Sequence, residues 1–134
     1  MQFDKIKVSS RTTHLFGMLK NSTGIGSESW GRLSLCLSIK QKGIPNPDEY
    51  NKSGTEFLPS QLFFPNYNMY LALMINRLRQ DNLNPKLYLT EMTRSHLNRG
   101  AISVKQRINN MFDIYNFLTE MQVAESSSMP KGAK

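Results

Sequence analysis

The chain is poor in the residues that most enzymes and cross-linked proteins are built on. It has one cysteine, two histidines and ten acids among 134 residues. Cys36 alone cannot close an internal disulfide, so a cytoplasmic protein is the default expectation. No run approaches the roughly 18 apolar residues of a membrane span, and the start, Met1-Gln2-Phe3-Asp4-Lys5, lacks the apolar core of a secretion signal. No His/Cys grouping has zinc spacing, and no H-E-x-x-H, Walker loop or GxSxG occurs. Two-metal phosphodiester chemistry needs clustered carboxylates. Asp48-Glu49 is the only adjacent acidic pair, in a proline-rich stretch with no Glu-x-Lys after it. The expectation is a protein without catalytic residues, metal or cofactor.

What the chain does have is positive charge. Seventeen Lys and Arg against ten Asp and Glu give +7 and a pI near 9.7, which suits a polyanionic partner. From Lys5 to Ser27 there is no acid, but Lys5, Lys7, Arg11 and Lys20 are present. From Met92 to Phe112 there is again none, alongside Arg94, Arg99, Lys105 and Arg107. Such segregation predicts a basic face. The competing reading is that surface cations are cheap to keep and bind nothing.

The stretch from Ser9 to Lys42 organises the rest. Leu15, Met18 and Leu19 have helical spacing, Thr23-Gly24-Ile25-Gly26 breaks it, and Ser27 with Glu28 starts a second helix. Trp30, Leu33, Leu35, Cys36, Leu37 and Ile39 make that second helix apolar nearly all round, the expected centre of the fold. Before it, Ile6 and Val8 alternate with Lys5 and Lys7 as a short strand, which needs a partner from another segment or another subunit. Strand, helix, turn, helix is a ribbon-helix-helix-like start.

Residues 43–66 hold four of the six prolines and read as a long loop packed by Phe57, Leu58, Leu62, Phe63 and Phe64, with short extended pieces near Glu56-Phe57 and Leu62-Phe63-Phe64. A third helix is predicted from Tyr67 to Asp81 after Asn66, with Arg77 and Arg79 outward. A fourth starts at Asn84-Pro85 and is expected to stop at Gly100. Ser103 with Gln106 then reads as a capping box for a fifth, whose apolar stripe is Ile108, Met111, Phe112, Tyr115 and Leu118. Residues 1–121 form one domain and 122–134 a disordered tail. The fold class is mainly α: about five helices, a short N-terminal strand and a long packed loop.

In this reading Lys105 and Arg107 occupy the first turn of the fifth helix, where cations oppose the macrodipole. That arrangement makes sense around a bound phosphate. The second helix offers only Arg32, Ser34, Ser38 and Lys40 on its polar positions, so contacts to phosphates are expected rather than base reading. His96 lies on an apolar stripe and reads as packed and hydrogen-bonded; Cys36 reads as a small core residue.

Several segments in order resemble the DndE family, the small subunit of bacterial DNA sulfur-modification (phosphorothioation) systems. They are Ile6-Lys7-Val8-Ser9, Thr23-Gly24-Ile25, the stretch from Gly31 to Ile39 with Arg32-Leu33-Ser34-Leu35-Cys36-Leu37-Ser38, Gly54-Thr55-Glu56-Phe57, Tyr70-Leu71-Ala72-Leu73 and His96-Leu97-Asn98-Arg99-Gly100. The resemblance implies a helical homo-oligomer, a tetramer, that binds duplex and especially nicked DNA and works beside DndC and DndD. It places Lys20, Arg32 and Arg99 on matching positions, whereas Asn21 and Ser22 stand where the family is basic. Arg32 and Arg99 serve equally well in bonds to helix ends or the long loop. Lys5, Lys7, Arg11, Lys20, Arg32, Arg94, Arg99, Lys105 and Arg107 are therefore the candidate DNA contacts. Two other readings stand beside this one: a DNA-nicking enzyme or nuclease cofactor, which needs a site these residues do not supply, and an assembly subunit that does not bind DNA.

Overall fold

Ser9 begins the helical part of the chain. Its backbone is extended, and its Oγ accepts the Thr12 N–H at 3.1 Å, satisfying one orphan donor of α1 (Ser10–Thr23). Gly24 ends α1 at φ +77°, with its N–H donating to the Lys20 carbonyl. After this turn α2 (Ser27–Lys40) starts with Glu28 in its first turn, Gly26 rather than Ser27 holding the cap position. The computed structural model describes residues 1–128, with side chains through Glu120.

The short strand finds its partner within the chain. β1 (Ile6–Lys7) pairs antiparallel with β2 (Glu56–Phe57), in the register Ile6 to Phe57 and Lys7 to Glu56. Two further bonds, Val8 N–H to the Thr55 carbonyl and Gly54 N–H to the Val8 carbonyl, extend the pairing. The long loop is packed as its composition requires: Phe57, Leu62 and Phe63 are buried, while Leu58 and Phe64 are exposed. Around Leu62 it is not extended but forms a single helical turn, α3 (Pro59–Leu62), opened by Pro59 at its first position.

Asn66 precedes α4 (Tyr67–Gln80), and Tyr70, Met74 and Leu78 are its buried apolar residues. Asn84 caps α5 (Pro85–Arg107) by accepting the Lys86 N–H at 3.0 Å. α5 does not stop at Gly100; it runs 23 residues to Arg107. Gly100 is needed for a close approach to α2, not for a cap, since a Cβ there would stand 1.8 Å from the Ser34 carbonyl oxygen. The capping box at Ser103 and Gln106 does not form: the Ser103 hydroxyl accepts from Gln41 Nε2 at 2.7 Å instead.

α2 shares the centre of the fold with α5. The two make the most extensive helix pairing of the molecule, through Gly31, Ser34 and Ser38 on α2 and an unbroken buried segment, Met92 to Asn98, on α5. Most of that segment is polar. Thr93 and Ser95 return their hydroxyl protons to the Leu89 and Glu91 carbonyls at 2.7 and 3.0 Å, and Ser34 does the same to Trp30. Their desolvation is thereby met inside the helices. The apolar core around them includes Phe16, Leu19, Leu35, Leu62, Phe63, Met74, Leu78 and Leu97.

Ile108 leaves the helix in extended conformation (φ −126°, ψ 118°), and the chain restarts as α6 (Met111–Ser128). The Asn110 carboxamide oxygen accepts the Asp113 N–H, and the Asp113 carboxylate accepts the Asn109 N–H. This break resets the helical phase. Ile114 and Phe117 turn inward, and the expected inward residues Met111, Phe112, Tyr115 and Leu118 are exposed; only Ile108 of that stripe is buried. α6 passes the Gln122 boundary expected for the tail; residues 129–134 lie outside the described residues.

Candidate nucleic-acid interface

The arginines divide into internal clamps and surface charges. Two clamps converge on the carboxyl end of α2 and the loop that follows. Arg77 is buried, contrary to the outward position expected for it. It donates to the Ile39, Gln41 and Gly43 carbonyls at 2.5, 2.9 and 2.5 Å and pairs with Asp81 at 2.8 Å. Arg99 donates Nε–H to Ser38 Oγ, and its other groups to the Ser38 and Gly43 carbonyls, at 2.8, 2.8 and 3.0 Å. Free carbonyls at a helix end carry partial negative charge, so guanidinium forks suit them both in geometry and in sign.

Arg94 is a third clamp, on the loop itself, and departs from the expected role. It is 3% exposed, and its two terminal nitrogens donate to the Pro47, Tyr50 and Asn51 carbonyls and to Glu91, while the buried Nε has no acceptor among the described residues. A group so enclosed presents no donor to a ligand on the surface. The bond from Arg94 holds the Glu91 carboxyl below its ordinary range, against the opposing effect of burial. Arg32, half-buried, donates to the Leu62 carbonyl at 2.8 Å and to Ser29 Oγ at 3.0 Å. Arg32 and Arg99 thus make the helix-end and loop bonds that the sequence allowed as the alternative to DNA contact.

His96 sits beneath these clamps, fully buried, with Nδ1 2.8 Å from Ser38 Oγ. Burial, then the Arg99 and Arg77 charges, push its pKa down to about 3. Ser38 Oγ accepts from Arg99 Nε and shares a second bond with His96 Nδ1, while Nε2 has no partner among the described residues. Cys36 is half-buried, and burial pushes its thiol up, opposed by Lys40; that setting suppresses the thiolate. Among the described residues no group of His, Cys, Asp and Glu is placed to hold a metal ion.

The cations left on the surface lie on β1, α1 and the α2–α5 end. Lys5, Lys7, Arg11 and Lys20 are exposed and, among the described residues, form no ion pair. Lys5 and Lys7 share the outer side of the strand, as alternation requires. Arg11 and Lys20 stand about 13.5 Å apart along α1, near opposite edges of its exposed side. Lys105 and Arg107 are not in a first turn; they occupy the last turn of α5, where cations favour the macrodipole. Their position therefore gives no reason to place a phosphate at a helix N-terminus there. Lys105 bonds the Asn109 side chain, and Arg107 lies 5.9 Å above the Phe117 ring.

Sequence reasoning missed one grouping. Lys40, Gln41 and Arg107 line a cleft of about 320 Å³, and Lys42 is exposed nearby in sequence. No sequence signal links positions 40 and 107; only the α2–α5 packing does. No described helix is long and apolar enough to cross a membrane.

The element order, the antiparallel β1–β2 pair and six helices among the described residues define a small, basic, mainly helical protein whose arginines serve its interior as much as its surface. The chain belongs to the family described as DNA sulphur modification protein DndE, matched over residues 5–111, which agrees with the resemblance read from the sequence. Its fold is similar to that in the crystal structure of DndE from Escherichia coli B7A, described as involved in DNA phosphorothioation modification. The two share 20% identity at a TM-score of 0.63, over 78% of this chain and 98% of that one. No curated protein matches the chain. The family match ends at Met111, where α6 begins.

Proposed function

We propose that this protein is a non-enzymatic, DNA-binding accessory subunit of a DNA phosphorothioation machinery. Membership of the DndE family supplies the process. The observation that carries DNA binding is the exposed set Lys5, Lys7, Arg11 and Lys20, none of which forms an ion pair among the described residues, although Glu56 stands across the ladder from Lys7. Such cations release counterions from a phosphate backbone without reading bases. A duplex, intact or nicked, held independently of sequence is the ligand this favours. A homo-oligomer, with a tetramer as the family expectation, and partners resembling DndC and DndD complete the reading.

The test is fluorescence anisotropy on intact, nicked and single-stranded DNA across a salt series. Replacing the four cations by glutamine should weaken duplex binding and flatten the log K against log salt slope by up to ~0.9 for each phosphate no longer neutralised. Binding and slope unchanged by the substitutions, or no retention of duplex at low salt, would refute it.

A second reading draws on α6. Met111, Phe112, Tyr115 and Leu118 expose an apolar face that favours assembly with protein partners, with the positive charge incidental. Salt-insensitive partner binding in the absence of DNA retention would support that reading instead.

A further inference from the structure

α6 is apolar on two sides, and the chain covers only one of them. Among its described side chains Phe117 is the buried one, and Ile114 packs beside it against the core. On the other side Met111, Phe112, Tyr115 and Leu118 stand 54, 70, 68 and 53% exposed. At 3.6 residues per turn all four fall within about 60° of the direction of Tyr115, as one continuous ridge. The bonds among Asn109, Asn110 and Asp113 fix the first turn, so the ridge is preformed.

An apolar groove of about 280 Å³ runs beside this ridge, walled by Ile25, Trp30, Leu33, Ile108, Phe117 and Leu118. Ser29 is its one polar lining residue, and no charged side chain lines it among the described residues. Leu118 belongs to both features, so ridge and groove are neighbours on a single face. The acids of this part of α6, Asp113 and Glu120, lie roughly 140–160° around the helix from Tyr115 and line a separate pocket with Arg107.

We propose that this face is an interface between two copies of this chain, related by a two-fold axis, with the Phe112–Tyr115 ridge of each copy seated in the Trp30–Leu33 groove of the other. A ridge beside a groove is complementary to its own copy under a two-fold rotation. The area suffices. An aromatic side chain carries about 150–250 Å², so at these exposures the four ridge residues leave roughly 500 Å² in water. Pairing would remove about 1,000 Å² before the groove walls are counted, the size at which specific interfaces begin. Charge decides the occupant. A face without charge offers nothing to a nucleic acid or to a strongly acidic or basic protein, whereas two copies of a +7 chain can meet there without setting like charges opposite one another. The interface lies beyond the part matched by the family, which ends at Met111. It does not rest on the DNA-binding reading, and any assembly made by the residues before α6 is separate from it.

The test compares the full chain with the double variant Phe112→Lys, Tyr115→Lys by sedimentation equilibrium and by Trp30 emission, each across a dilution series. Both positions are exposed, so the variant should keep the far-UV circular dichroism of the wild type. The wild type should have about twice the mass of the variant, whatever assembly the earlier residues make. Trp30 is the sole tryptophan, and its emission should change as the wild type dissociates and stay constant in the variant. Tyr115→Phe, which keeps the ring, should pair as the wild type does. Equal masses for wild type and double variant at every concentration overturn the proposal and leave the face to a different protein. Trp30 emission that stays fixed while the wild type dissociates overturns it as well. Duplex retention is measured separately, and either result leaves the DNA-binding reading standing or falling on its own.

Discussion

Gly100 on α5 lies directly against the backbone of Ser34 on α2: a Cβ built on Gly100 would stand 1.8 Å from the Ser34 carbonyl oxygen and 2.4 Å from its carbonyl carbon. Both neighbours are backbone atoms in the middle of packed helices, so neither can step aside. Gly100→Ala should therefore separate the two central helices and cost about 3 kcal/mol or more. Gly17, also in a helix interior, has open space where its Cβ would be. Gly17→Ala should stabilise by about 0.5–1 kcal/mol. Urea unfolding of the two variants tests the contrast; similar midpoints would show that α2 and α5 leave room for a side chain at their crossing.

Arg94 has a role that lysine cannot fill. Its fork reaches three loop carbonyls and Glu91 together, whereas an ammonium is a point donor. Arg94→Lys should cost about 2–4 kcal/mol and loosen the segment around Pro47–Asn51. Faster proteolytic cleavage there, with DNA affinity no lower once the protein is kept folded, would distinguish a clamp from a ligand contact.

His96 makes stability depend on pH. Its folded pKa of about 3 lies below the ordinary value of 6.5, so the unfolded chain binds a proton that the folded one refuses. The stabilising effect is complete above pH 6.5 and declines as the pH falls from there towards 3. The slope should approach ~1.4 kcal/mol per pH unit below about pH 6. Chemical unfolding at about pH 7, 6 and 5 should show it, and His96→Gln should flatten it over that range even though its absolute stability is lower. Glu91, whose pKa is lowered, adds its own loss of stability only further into acid.

The parts of the fold legible in the sequence are those fixed by local chemistry. Thr23-Gly24 ends α1, Asn84-Pro85 opens α5, and Phe57 and Leu62 draw the proline-rich loop onto the core, each because the deciding atoms lie within a few residues. The misreadings share the opposite cause. Gly100 has the local look of a terminator because the Ser34 carbonyl that requires it belongs to a distant part of the chain. Arg77 and Arg94 resemble surface charges because most of their acceptors belong to other elements. The stripe expected for α6 counts through Ile108 as though helix were continuous there; the non-helical residues between Arg107 and Met111 rotate the pattern, and Ile114 and Phe117 become the inward pair. Of the candidate contacts, Lys5, Lys7, Arg11 and Lys20 can be placed on the surface from alternation and helical spacing. The meeting of Lys40 with Arg107 cannot.

The small β1–β2 ladder has a kinetic consequence. It joins Ile6 to Phe57, so its bonds close a loop of about fifty residues before they repay the entropy of closure. α1 and α2 can form early from neighbouring contacts, whereas the amino-terminal strand docks only after the proline-rich segment has found its place. The edge that carries Lys5 and Lys7 should thus be among the last parts of the molecule to fold and the first to open.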